Sequence, residues 1–265
     1  MGNSFSNCCN SNINKLDDFF SSTINKLEIK KLTFKEVVSI LFNKDHKEKD
    51  QLGIVSKKGV SALENAALKI SKENFLKIAL IHFYKSSDNI YLEAQRILFQ
   101  NMFESLYLSK HDILLMLLIF VNNNESEKIK HFAELIVESE AVNYVVFKNK
   151  LKSYIEFNLV VIPRCFLKTP NSVENNVEIL CLENRDDLEY QLKEVFIYDN
   201  IMNFIDFILK EFEERHFHNC EDYYNQKKII LTSNEIYSIL IKHKYVFNLI
   251  DLMKFFKIKY NHEQD

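Results

Sequence analysis

Glycine and proline are scarce in this chain: three glycines and two prolines in 265 residues, with no tryptophan at all. Sheet-rich domains place glycine and proline at their many tight turns, so the scarcity points to an all-α protein. Nucleotide-binding folds need clustered glycines to bring the backbone up to phosphate. Gly2, Gly53 and Gly59 do not cluster in that way, which removes most nucleotide-dependent enzymes. Long apolar runs are missing too. The longest, Ile113 to Val121, falls well short of the ~20 residues of a membrane span. No apolar stretch follows a basic start near Met1, so no secretory signal is expected. A net charge of −3 and the lack of a basic stripe with interleaved aromatics argue against nucleic acid as a partner. Five cysteines, two in the first nine residues and the others scattered at Cys165, Cys181 and Cys220, fit a reducing compartment.

What is present begins with Met1-Gly2-Asn3-Ser4-Phe5-Ser6-Asn7-Cys8-Cys9. Gly2 behind the initiator and a hydroxyl at Ser6 match the N-myristoylation pattern. One myristoyl chain binds membranes only marginally, at ~0.8 kcal/mol per buried methylene. Palmitate on Cys8 or Cys9 supplies the second anchor that makes attachment stable. Gly2, Cys8 and Cys9 are therefore the expected lipidation sites, and the cytoplasmic face of a membrane, through its inner leaflet, is the expected location.

Residues 1–15 read as a flexible tail. Helical periodicity starts near Leu27, and Thr33 with Glu36 forms a capping box ahead of Val37, Ile40 and Leu41. The charged stretch 44–60 reads as a loop. Ser71 opens a helix with Phe75, Ile78, Ala79 and His82 on one face, and a further helix carries Ile90, Ala94, Ile97 and Leu98. Ser109 with Asp112 caps the apolar helix Ile113 to Val121. After the break Asn122-Asn123-Asn124 come Ile129, Phe132, Ala133 and Ile136, then a helix from Phe147 to Leu159. The stretch from Val160 to about Asp187, with Pro163 and Pro170, reads as an irregular insertion. Ile201, Phe204, Ile205, Ile208 and Phe212 resume the pattern. A polar loop, His216 to Lys228, leads to a second capping box, Thr232 with Glu235, before Ile236, Ile239, Leu240, Phe247 and Ile250.

A short phrase recurs before these helices: Ile70-Ser71-Lys72-Glu73-Asn74-Phe75, Leu108-Ser109-Lys110-His111-Asp112-Ile113 and Leu231-Thr232-Ser233-Asn234-Glu235-Ile236, with a looser copy at Tyr144-Val145-Val146-Phe147-Lys148. In each strong copy an apolar residue precedes a hydroxyl, a polar group stands four residues on, and another apolar residue closes the phrase. The phrase resembles the exit half of an EF-hand loop, in which the apolar residue pairs with its twin and the last position is usually glutamate. Phe75 to Phe99, Asp112 to Ala133 and Glu235 to Leu249 look like the corresponding stretches of neuronal calcium sensors. The chain thus resembles a degenerate member of the N-myristoylated neuronal calcium sensor and calcineurin B-like superfamily over roughly residues 60–160 and 199–252. That resemblance implies two lobes of paired helix-loop-helix units: a tail at 1–15, an N-terminal lobe at 16–122, and a C-terminal lobe at 123–265 with an insertion at about 160–187.

The loops depart from the family. Calcium needs about six or seven oxygens, carboxylates at alternate positions and a glycine at the sharp turn. Counting back from the phrases, the first, third and fifth positions are Leu63, Asn65, Ala67; Asn101, Phe103, Ser105; Val137, Ser139, Ala141; and Tyr224, Gln226, Lys228. None is acidic. The turn positions hold Leu68, Leu106, Val142 and Ile229 instead of glycine. Asp112 and Glu235 remain as metal candidates, although helix capping accounts for both. No cofactor is expected, with calcium as the alternative through an irregular loop containing Glu221 and Asp222, between Asn219 and Glu235. His216, His218, Cys220 and Asp222 are the one cluster of soft ligands, but alternate spacing on a helix points such groups apart.

Enzyme signatures are missing: no serine nucleophile elbow, phosphate loop or kinase set occurs. Glu211, Glu213 and Glu214 read as a solvated helix face, and Cys165 beside Pro163 has no base evident in sequence. The expected function is a membrane-tethered, non-enzymatic adaptor or scaffold that holds an amphipathic helix of a partner without calcium. The alternatives are a calcium sensor with one residual loop and a regulatory subunit of a membrane-associated enzyme.

Overall fold

The structure is a computed structural model, and it describes residues 24–25, 27–42, 69–83, 96–100, 107–137, 140–167, 198–216 and 229–261. These are mostly helical. After a short 3₁₀ turn at Glu28–Lys31 comes α1 (Phe34–Phe42). Its capping box forms as expected: the Thr33 N–H and hydroxyl both donate to Glu36 Oε2 at 2.7 Å, and the Glu36 N–H donates to Thr33 Oγ1 at 3.4 Å. Phe34, Val37 and Leu41 fall on the buried face, the spacing a helix imposes.

Next come β1 (Lys69–Ser71) and α2 (Lys72–Phe83), then β2 (Tyr107–Ser109) and α3 (Lys110–Leu117). The two strands pair antiparallel, Ile70 opposite Leu108. Phe75 on α2 meets Phe99 edge to face at 5.4 Å between ring centroids. The apolar run expected as one helix to Val121 leaves the helix at Leu117 and continues in turns; Leu117 to Val121 are all buried. Burial of so many large side chains, each contributing about 1.5–3 kcal/mol, fixes this turn against the neighbouring helices.

α4 (Glu125–Ile136) starts at Asn124, whose side chain accepts the Glu127 N–H at 2.9 Å. Ile129, Phe132, Ala133 and Ile136 are buried, as their spacing predicts. β3 (Val142–Asn143) and α5 (Tyr144–Glu156) follow. Here the sequence register is corrected. The looser phrase begins at Val142 and not at Tyr144: Val142 pairs with Leu231 of β4 (Ile230–Leu231), and Asn143 caps α5 through the Val145 N–H at 2.8 Å.

A second correction concerns the expected insertion. Residues 160–167 continue the helical path: α5 passes through a π turn, Phe157–Val161, into α6 (Ile162–Leu167). Pro163 has no N–H, and in an ideal helix its ring crowds the carbonyl four residues back. The wider turn, in which the Ile162 N–H reaches Phe157 O, absorbs that defect. The remainder of the expected insertion lies outside the described residues.

α7 (Tyr198–His216), α8 (Ser233–Leu240), a 3₁₀ segment (Ile241–Phe247) and α9 (Leu249–Asn261) follow among the described residues. The 3₁₀ segment is kinked at His243 (φ −117°, ψ 36°). Phe247 turns inward there and stacks with Tyr154 at 5.2 Å while meeting Phe132 edge-on at 5.3 Å. This aromatic knot joins α4, α5 and the 3₁₀ segment in one core with the helices of the first half.

Candidate functional site: a groove beside two capped helices

Asp112 and Glu235, the two metal candidates, hold equivalent places at the starts of α3 and α8. Asp112 is engaged from two sides. Its Oδ2 accepts the Ser109 hydroxyl at 2.6 Å, and its Oδ1 accepts the Lys150 ammonium from α5 at 2.5 Å. Burial alone raises the Asp112 pKa, but these hydrogen bonds outweigh it and hold the carboxyl below its ordinary range. Glu235 completes the capping box, accepting the Thr232 N–H and hydroxyl, both at 2.8 Å. Those bonds lower its pKa as well. A cation at Asp112 would have to displace an ammonium already seated there. Among the described residues no group of three or more His, Cys, Asp or Glu side chains gathers as a metal site would require.

The concave feature of this region is a groove of about 330 Å³ between α7 and the α8–3₁₀ wall. Its apolar lining comes from Ile208 and Phe212 on α7 and Ile239 on α8. Glu211 lies on the rim and accepts from Arg215, at 3.5 Å, and from Lys242 across the groove. These cations lower the Glu211 pKa, the Lys242 hydrogen bond most of all. His216, the last residue of α7, stacks on Phe212 at 4.1 Å and directs Nδ1 to the Phe212 carbonyl at 2.9 Å. Of the expected soft-ligand cluster, His216 is thus engaged by its own helix; His218, Cys220, Glu221 and Asp222 lie outside the described residues. His243 sits at the kink, its pKa lowered by burial.

Behind the groove, α5 and α7 are riveted by a polar network that sequence reading missed. The Tyr144 hydroxyl donates to Glu213 Oε1 at 2.6 Å, and Lys148 Nζ donates to Asp206 at 2.7 Å and to the same Glu213 oxygen at 3.0 Å. Burial and the Glu213 carboxylate keep the tyrosine protonated. Lys148 stays charged because Asp206 and Glu213 outweigh its burial. Glu213, read as a solvated carboxylate, is thus a bridging group, while Glu211 serves the groove rim and Glu214 pairs with Lys210 at 3.8 Å. The only local hint was a Tyr and Lys four residues apart on one face.

The Asn122-Asn123-Asn124 break is likewise a junction. Asn122 N–H donates to Leu32 O at 2.7 Å, Asn123 Oδ1 accepts the Phe34 N–H at 2.8 Å, and Asn124 caps α4. Phe34 also stacks on His131 at 4.4 Å. Cys165 is buried in the core. The expected lipidation sites Gly2, Cys8 and Cys9 lie outside the described residues, as do the loop positions before β1, β2 and β4 apart from Ile229. No described helix is long and apolar enough to cross a membrane. No protein-family model, curated protein or solved structure matches the chain.

Proposed function

We propose that this protein is a membrane-tethered, non-enzymatic adaptor of EF-hand-like build that receives an apolar-faced helix of a partner in the groove between α7 and α8. The observation that carries the reading is the pairing of strands. Each of the four short strands ends in, or immediately precedes, the residue that caps the next helix, and they couple first with second and third with fourth. Coupling of two loops by a short antiparallel ladder is how paired helix-loop-helix calcium-binding units are joined. The engagement of Asp112 by Lys150 and of Glu235 by its own cap favours an adaptor over a calcium sensor. The Gly2, Cys8 and Cys9 pattern supports the tether to the inner leaflet.

Two measurements on protein purified from its own cells test this. Intact mass is expected to show a myristoyl adduct with one or two palmitates. Membrane flotation is expected to fail for Gly2→Ala combined with Cys8→Ser and Cys9→Ser. An unmodified N-terminus, or full membrane retention of the triple variant, removes the tether from the account. For the groove, Ile239→Asp on the floor is expected to abolish capture of the cognate partner while leaving unfolding midpoints within a few degrees; retained capture places the interface elsewhere.

A further inference from the structure

Lys128 is the one charged side chain buried among the described residues, at 3% exposure. It bonds no carboxylate there. Its Nζ donates instead to two backbone carbonyls, Ile119 O at 2.9 Å in the turn after α3 and Phe247 O at 3.4 Å at the end of the 3₁₀ segment. Such chain-end carbonyls lack donors of their own and carry the negative end of the helix dipole. The other end of the same 3₁₀ segment, Lys242 and His243, walls the groove. One side chain therefore fastens the far end of the groove wall to the junction between the two halves of the chain.

We infer that Lys128 is a proton-operated latch, fastening the end of the 241–247 wall to the α3–α4 turn when neutral and favouring release when charged. Apart from the two carbonyl dipoles, the groups around it leave the charge poorly compensated. Glu125, one turn earlier on α4, attracts it, but is itself held by Asn248 Nδ2 at 3.4 Å. Lys30 from the 28–31 turn repels it. The α3 turn faces it with Leu118 to Val121, all apolar, and Lys244 of the 3₁₀ segment and Asp251 of α9 are exposed. Burial, with Lys30 adding to it, brings the lysine pKa down to about 7. A neutral amine satisfies two carbonyls with two N–H groups. An ammonium in the same place lacks water and a bonded carboxylate, and only opening of the seam restores its hydration.

The sign of the pH effect follows from linkage. The closed state sheds its proton near pH 7, whereas an opened, hydrated Lys128 holds it to about 10.4. Between those values opening takes up one proton, so the opening constant rises about tenfold per unit of falling pH and levels off below 7. The latch rests on contacts that do not depend on the groove's occupant; its consequence for partner affinity rests on the adaptor reading.

Hydrogen exchange on the full-length protein between pH 8.5 and 6, each rate divided by the intrinsic rate, measures that constant. The Asn122, Lys128 and Asn248 amides, which donate to Leu32, Asn124 and Tyr245 carbonyls, flank the seam and gain access to water when it opens. The tenfold-per-unit rise is expected there above pH 7, and it is expected to vanish in Lys128→Met. In the unsubstituted protein the Lys128 Cε carbon shift is followed directly, which keeps the test decisive even where Lys128→Met fails to fold. A midpoint near 7 supports the latch. A midpoint above 9, a flat seam profile, or a slope that survives in Lys128→Met overturns it. None of these outcomes bears on acylation or on partner capture by Ile239→Asp, so failure of the latch and failure of the adaptor reading are told apart.

Discussion

The starts of α3 and α8 carry the same chemical phrase, a hydroxyl with a carboxylate three residues on, and put the carboxylate to different use. At α8 the Thr232–Glu235 box is local and exposed, satisfying the donors of one helix end. At α3 the Ser109–Asp112 pair is half-buried, and Lys150 reaches it from α5 in the other half of the chain. A capping signature read from sequence thus fixes where a helix begins, but not whether its carboxylate also ties distant elements together. The second role is decided by which cation the fold brings alongside.

Substitutions sharpen this contrast. The largest effect is expected for Asp112→Ala, which takes the acceptor from the Ser109 hydroxyl and leaves Lys150 unpartnered: a loss of about 2–3 kcal/mol, read from urea unfolding. Lys150→Met is expected to cost less, about 1 kcal/mol, because the pair is about one-third exposed and screened by solvent. Its effect depends on pH. The Asp112 carboxyl is held below its ordinary value in the folded state, so the stabilisation by Lys150 is fully present above about pH 4 and lost as pH falls through the lowered value. Unfolding midpoints of the parent and Lys150→Met are therefore expected to differ at pH 6 and to draw together as the pH falls below the ordinary carboxylate range. Thr232→Ala is expected to cost ~1 kcal/mol, the value of a lost N-cap, with no effect on exchange protection in α5. If Thr232→Ala loosens α5 as much as Asp112→Ala does, the distinction between a local and a tying cap fails.

A fourth prediction probes the core shared by both halves. The Tyr154 hydroxyl and the Asn158 amide, one turn apart, are buried beside each other without a well-formed hydrogen bond. Tyr154→Phe removes an unsatisfied polar group while keeping the ring against Phe132 and Phe247, and is expected to leave stability unchanged or raise it by up to about 1 kcal/mol. A loss above 1 kcal/mol would mean that the hydroxyl has a partner in solution.

Much of the helical plan was legible because its signals are local. The caps at Thr33, Ser109 and Thr232 and the buried stripe of α4 lie where their spacing predicts. The β3 register was missed by two residues because its cap is Asn143 acting on the next-but-one N–H, and because Val146 occupies the position that is polar in the other copies. The helix past Val160 was missed because a proline inside a helical path reads as a stop; the π turn that accommodates it depends on packing of Phe157 and Leu159 in the core. Of the candidate site, only the apolar positions and the two carboxylates could be read. Lys150, Glu213 and Lys128 look like surface charges in sequence, since their partners are 38, 69 and 119 residues away.

The proposed adaptor function requires that the chain be indifferent to calcium. Amide spectra of the full-length protein recorded during a calcium titration test this most directly. The account predicts no saturable shifts below about 100 μM, the sensor range, at Ser109 to Ile113 or Leu231 to Ile236. Saturable shifts at either place in that range would contradict it and make this protein a calcium sensor.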